Sequence, residues 1–238
     1  MERFYRSRVR SGRWVSFTVQ VKETDLWVRA KKDLSRKIYD RVYQHRYALE
    51  TYLLHHPPFG KALTPLKPDP TAPPVVQAML KAAAAAGVGP MAAVAGAIAE
   101  AVGLDLLEEA KEIIIENGGD LFLAVQESVT IGIYAGPSPL SDKVGIRLPP
   151  AQSPRGVCTS SGTVGHSLSF GRADAVTVLS PSAALSDALA TAAGNRVKNP
   201  KDIPFALEWL QKIPEVQGAV IIVGDQMGVW GEMEVVAL

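Results

Sequence analysis

Asp187 and Thr191 stand four residues apart in the stretch "DALATA", with Ala184, Ala188 and Ala192 around them. On a helix this spacing puts carboxylate and hydroxyl on one face, one turn apart, and the alanines leave that face uncrowded. Together they offer two oxygen ligands to a hard cation such as Mg²⁺, whose other positions would go to water or a phosphate. The competing reading is a solvated Asp187 and a Thr191 bonded back to its own helix carbonyl.

A second concentration of chemistry lies in "GVCTSSGTVGHSLSFGRADAV", residues 156–176. Thr159, Ser160, Ser161, Gly162 and Thr163 make a hydroxyl-rich, glycine-bearing loop, and such loops cradle phosphate with N–H and O–H donors. His166, flanked by Gly165 and Ser167 in polar sequence, is placed to act as an acid, a base or a phosphate donor. Cys158, the chain's one cysteine, follows Val157 in strand-like sequence, where a buried small hydrophobe is the commoner role than a reactive thiolate. Upstream, Asn117-Gly118-Gly119-Asp120 has the residue types of a hairpin turn. Beside the hydroxyl loop, Gly118, Gly119 and Asp120 would form an adjoining wall of a ligand site. Neither segment has the lysine and spacing of a P-loop or the G-x-G-x-x-G fingerprint.

These residues need elements to hold them. Residues 13–30 alternate apolar and polar around a turn between Lys22 and Asp25, the pattern of a half-buried hairpin. Leu34, Ile38, Val42, Leu49 and Leu53 then recur near helical spacing, with Asp33 or Ser35 as cap and His55 and His56 at the surface. Seven prolines between residues 55 and 74 forbid regular structure there. Two small-residue helices follow, the second with Pro90 in its first turn. Strands come next, on either side of Gly118-Gly119 and in "VTIGIYA", "KVGIRL" and "ADAVTVLS". Ser180-Pro181 opens the helix carrying Asp187, which is expected to stop at Gly194. A helix over 203–213 and two strands, 217–223 and 228–236, complete the chain. Helices and strands interleave without a regular βαβ rhythm, which predicts an α+β fold of mixed sheets packed against helices. At 238 residues one domain spanning 1–238 suffices, with the hairpin, first helix and proline-rich loop as its N-terminal part.

Composition narrows the partners. Residues 1–50 hold 13 Lys or Arg against 6 Asp or Glu, while the whole chain is only +1. The basic residues match no nucleic-acid reading motif, so nucleic acid is not the expected partner. Residues 82–99 carry no charge, but alanine and glycine partition weakly and Pro90 interrupts the run, so a buried helix and not a membrane span is expected. A lone cysteine suits a reducing compartment, the cytoplasm. The exposed hairpin edge near the N-terminus gives a route to a homo-oligomer through strand pairing.

Taken together, "ENGGDLFL", "TSSG" and "DALATA" after "AVTVLS" resemble, in order and spacing, the ApbE-like superfamily, the FAD:protein FMN transferases. The corresponding motifs there read approximately "NxGGD", "ATSG" and "ADALATA". The run "TSSGTVGHSLSFGRADAVTV" looks like a cytoplasmic branch of that superfamily. The resemblance implies a T-fold-like α+β architecture binding FAD or FMN with Mg²⁺ between sheet and helices. It assigns the metal to the Ala92 carbonyl, Asp187 and Thr191, and it puts a phosphate-bearing small molecule in the site. Two departures stand out. The family's Lys in "KG" falls at Ala95 here, which removes a cation, while the acidic position after it is matched by Glu100. After "ATSG" the transferases carry a hairpin ending in "HIIDP", of which only His166 has a counterpart here. Two functions therefore stay open: a nucleotidyl- or FMN-transferase-like enzyme, and a binding or assembly module that kept the scaffold and lost the chemistry.

Overall fold

The computed structural model describes residues 14–164 and 170–238. Eight strands form the main sheet in the order β1-β2-β3-β4-β7-β8-β9-β10: β1 Val15–Val21, β2 Thr24–Ala30, β3 Ile113–Asn117, β4 Asp120–Ala124, β7 Arg155–Ser160, β8 Ala175–Ser180, β9 Gly218–Val223 and β10 Gln226–Gly231. Three more, β5 Val129–Gly132, β6 Val144–Leu148 and β11 Glu234–Ala237, form a small sheet ordered β11-β6-β5. Where mixed strand directions are expected, every neighbouring pair among the described residues is antiparallel. The architecture is α+β.

The main sheet is covered on both faces, which explains strands that read as unbroken apolar runs such as "AVIIV". Side chains alternate across a strand. Ile113, Ile115, Phe122, Cys158, Val176, Val178 and Ile221 accordingly enter the core beneath the helices, while Ile114, Leu123, Val157, Leu179 and Val220 face the small sheet. The helix layer comprises α1 Ser35–His55, α2 Pro74–Ala86, α3 Val94–Leu106, α4 Ala183–Arg196 and α5 Ile203–Gln211. Helix α4 sits in the middle of this layer, against α2, α3, α5, β7 and β8. Its alanines at 183, 184, 188, 190, 192 and 193 are buried because backbone from several directions comes close.

Several boundaries differ from the expected ones. Pro90 lies in a short 3₁₀ turn, Pro90–Ala93, and α3 begins only after Ala93, whose φ of −115° and ψ of 5° interrupt the helix. The cap of α4 is Ser182, whose Oγ accepts from the Leu185 N–H, and α4 continues through Gly194 to Arg196. Ser180 instead shares a hydrogen bond with Ser186 Oγ at 2.8 Å. The final apolar run is two strands: Gly231, at φ 99°, turns the chain so that β11 crosses to the small sheet. No single helix among the described residues is long and apolar enough to cross a membrane. The α2 and Pro90–Leu106 pair passes only when combined and is bent by 106°.

Candidate functional site

The start of α4 is held by unusually close backbone packing. A Cβ on Gly96 would lie 2.3 Å from the Ala183 carbonyl oxygen, and one on Gly156 would lie 2.3 Å from Ala183 Cα. Glycine on both sides lets α3 and β7 grip the same turn of α4. The two helices then cap one another. Asp187 on α4 accepts the Gly96 N–H in the first turn of α3 at 2.9 Å. In return Glu100 on α3 accepts the Ser182 hydroxyl at 2.7 Å and the Ala184 N–H at 2.9 Å, at the N-terminus of α4. Each carboxylate meets donors that a helix start leaves without intrahelical partners.

The cross-cap has a consequence at Ala92. In a continuous helix the Gly96 N–H would bond to the carbonyl four residues back, that of Ala92. With this N–H directed to Asp187 and the helix broken at Ala93, the Ala92 carbonyl is spared that bond. Next door, Asn117 Nδ2 donates to the Ala95 carbonyl at 3.1 Å, tying the β3–β4 turn to the start of α3. That turn needs its glycines: φ is 77° at Gly118 and 136° at Gly119.

Beyond the turn, Asp120 pairs in register with Cys158 and, with it, faces the helices. Asp120 and Asp187 are each half-buried as residues, but their carboxyl groups are packed round by protein. Burial is the main cause that raises both. Asp187 is pushed up to about 7 against the pull of the Gly96 and Ala95 N–H groups. Asp120 is raised well above the usual carboxylate range by burial and then by the charge of Asp187, with the Cys158 thiol and the Thr159 N–H acting the other way. Burial and these two acids also push the Cys158 thiol up. Fully buried and 3.2 Å from the Ala183 carbonyl, it is a protonated core side chain. Thr191, one turn beyond Asp187, is half-buried, and its hydroxyl makes no hydrogen bond to any other described residue. The bond back to its own helix does not form.

The hydroxyl segment is arranged differently from a free loop. Thr159 and Ser160 belong to β7. Cys158 faces the helices, so by alternation Ser160 shares that side and Thr159 does not. Thr159 Oγ1 lies 2.9 Å from Thr177 Oγ1, and Val157 and Leu179, two residues before one and after the other, belong to the core under the small sheet. Most N–H donors of the segment are already used. Thr159 donates to the Gly119 carbonyl, Gly162 to that of Ala173, and Thr163 and Val164 to Ser161 Oγ. The Thr163 hydroxyl donates to Asp174 at 3.0 Å. What faces α4 from this segment is chiefly hydroxyl, not a backbone cradle. His166 lies outside the described residues.

The structure thus brings Asp120, Asp187 and the turn before α3 around one point, and directs Thr159 and Thr163 elsewhere. Two contributors escaped the sequence reading, and the role of a third, Glu100, which matches an acidic position of the family, did not show. Asn117 passed for a turn residue. Asp174, buried with its second oxygen on the Gly224 N–H at 2.7 Å, anchors the hydroxyl segment and left no sequence signal. Among the described residues no group of three or more His, Cys, Asp or Glu is placed to hold a metal. A cation here would rely on two carboxylates, a hydroxyl and a carbonyl.

Comparison with known proteins adds an independent line. Residues 6–229 match the family model described as "AbpE bacteria". The chain is 44% identical to a UPF0280 protein of Methanocella arvoryzae, over 90% of this chain and 87% of that one. It is 41% identical to the UPF0280 protein MJ1526 of Methanocaldococcus jannaschii, over 92% of each. Among solved structures it is similar to the apo form of the flavinyl transferase ApbE of Pseudomonas stutzeri, with a TM-score of 0.57, 15% identity and 94% of each chain covered. It is also similar to the flavin transferase ApbE of Vibrio cholerae, with a TM-score of 0.51, 12% identity, and 92% of this chain and 97% of that one covered. At these identities the likeness establishes the fold.

Proposed function

Since the chain belongs to the ApbE-like family described as "AbpE bacteria", we propose that the start of α3 and the face of α4 bind Mg²⁺ together with a flavin or another phosphate-bearing nucleotide. The observation that carries this reading is the diversion of the Gly96 N–H to Asp187, which spares the Ala92 carbonyl, while the Thr191 hydroxyl has no hydrogen-bond partner among the described residues. Oxygen ligands of this mixture, carboxylate, carbonyl and hydroxyl, suit a hard cation. Asp187, Thr191 and the Ala92 carbonyl would hold it, with the Asp120 carboxyl beside them as a further oxygen. The ion would neutralise phosphate charge and polarise a phosphoryl group. Ser160 and Ser161 would orient the phosphate through their hydroxyls, Gly118 and Gly119 would let it approach the backbone, and His166 would exchange a proton with the reacting group. Flavin as the ligand is supported by the fold shared with proteins named flavin transferases.

A second reading, a module that binds the ligand without turning it over, is favoured by the missing "HIIDP" segment and by Ala95 where the family has Lys. Calorimetric titration with FAD, FMN and ATP, with and without Mg²⁺, tests the binding proposal. Mg²⁺-dependent affinity that disappears in Asp187→Ala is the expected result, and unchanged affinity would remove the metal role. Release of AMP from FAD, or a flavinylated acceptor, separates an enzyme from a module.

A further inference from the structure

Asn117 is of a type that turns favour, yet the β3–β4 turn does not use it for its backbone. Gly118 and Gly119 supply the positive φ values there, and the described non-glycine residues with positive φ are Lys22 and Asp142. Asn117 is the last residue of β3, paired with Leu26 of β2 and Asp120 of β4, so its backbone is fixed from both sides. By alternation its side chain shares the helix side with Ile113 and Ile115. There Nδ2 donates to the Ala95 carbonyl at 3.1 Å.

That carbonyl lies in the same rigid peptide plane as the Gly96 N–H, which Asp187 accepts at 2.9 Å. One peptide unit is therefore held at both ends, its oxygen by the sheet and its hydrogen by α4. Its tilt needs outside partners, because the first N–H groups of a helix have none within the helix. Two donors could reach the Ala92 carbonyl: the N–H three residues on, as in a 3₁₀ turn, and the N–H four residues on, as in an α-helix. These belong to Ala95 and Gly96, and both are given to Asp187. The neighbouring Met91 carbonyl, by contrast, takes the Val94 N–H and closes the 3₁₀ turn.

We infer, on the reading of the cation site proposed above, that Asn117 is one of its positioning residues. By holding the Ala95 oxygen, its amide fixes the tilt that keeps both N–H groups on Asp187 and leaves the Ala92 carbonyl free for a cation. Only a side chain with a donor at this reach can do so. A carboxylate of the same shape would set oxygen against oxygen, and a serine hydroxyl is one bond shorter.

Asn117→Ala and the milder Asn117→Ser, each in the full chain, separate this role from simple packing. Hydrogen exchange followed by NMR should show the Gly96 amide losing about three- to tenfold of its protection, the worth of one hydrogen bond. The loss is read relative to the amide of Val178, buried in the middle of the main sheet, which reports global stability. A purely structural defect would lower both amides alike. With Mg²⁺ alone as the probe, the concentration giving half of the rise in Tm should increase by a similar factor in both variants. Gly96 protection that keeps pace with Val178 overturns the inference. A parent chain whose Tm ignores Mg²⁺ overturns the cation reading and this inference with it, whereas a responsive parent beside an equally responsive Asn117→Ala overturns the inference alone.

Discussion

Asp187→Asn offers the most direct test of the charge arrangement. The folded protein holds the Asp187 proton up to about 7, against an ordinary value of 3.8. Between those values the folded state binds more protons than the unfolded chain. Stability is therefore present in full below about pH 4, falls as pH rises through the window, and is lowest above 7. Three units correspond to about 4 kcal/mol, the most this group can remove from the protein at pH 8 relative to pH 4. Asparagine has no charge to desolvate and keeps an oxygen for the Gly96 N–H, so the variant should be more stable than the parent at pH 8 and similar to it at pH 4. Mg²⁺ should raise the stability of the parent at pH 8 and leave the variant nearly unchanged. Urea unfolding at both pH values, with and without MgCl₂, reads all of this. If parent and variant lose stability in parallel between pH 4 and 8, Asp187 does not carry the buried charge, and the reasoning from its surroundings fails.

Gly96→Ala should destabilise the fold by about 1–3 kcal/mol through overpacking, since the new methyl would meet the Ala183 carbonyl at 2.3 Å and Asp187 Cβ at 2.9 Å. It should also abolish the Mg²⁺ response, because the same methyl separates α3 from α4; thermal melts with and without the ion check both. Cys158, buried and with its thiol pushed up by burial and by Asp120 and Asp187, should react with iodoacetamide only as fast as the protein unfolds. A labelling rate that increases with urea in step with unfolding is the expected outcome.

Local periodicity carried the sequence reading a long way. The hairpin turn follows from two glycines between apolar runs, and the shared face of Asp187 and Thr191 from a spacing of four. Reach across the chain did not show. Five hydroxyl and glycine residues in a row look like a loop, yet β7 runs through the first two and sends Thr159 to the far side of the sheet. Composition cannot reveal this, because strand pairing with β4 and β8 decides where β7 stops. The cap of α4 was displaced for a related reason. Ser180 is a good cap by type, but its burial against Ser186 in the sheet–helix core engages it first, and Ser182 takes the role. Ala92 would act through its backbone carbonyl, for which a side chain gives no clue, so only the resemblance pointed to it.

Glu100 decides which groups are left to meet a phosphate. A helix N-terminus attracts anions through its free N–H groups and dipole, and the start of α4, beside the site, is well placed for this. Glu100 already fills it, accepting from Ser182 and Ala184. With that terminus satisfied and with Asp120 and Asp187 both acidic, the residues proposed to meet a phosphate include no Lys or Arg, and under that proposal a bound cation would be the means of bringing positive charge in. Glu100→Ala should therefore do two things. Exposing the Ser182 and Ala184 donors should cost about 1–3 kcal/mol, part of which sulfate recovers by occupying the vacated terminus. Loosening the first turn of α4 should also weaken Mg²⁺ binding one turn further on, at Asp187, whereas Glu100→Gln, which keeps one acceptor oxygen, should restore part of both. If Glu100→Ala alters neither the melting temperature nor its dependence on sulfate and Mg²⁺, the mutual capping of α3 and α4 does not set the position of Asp187.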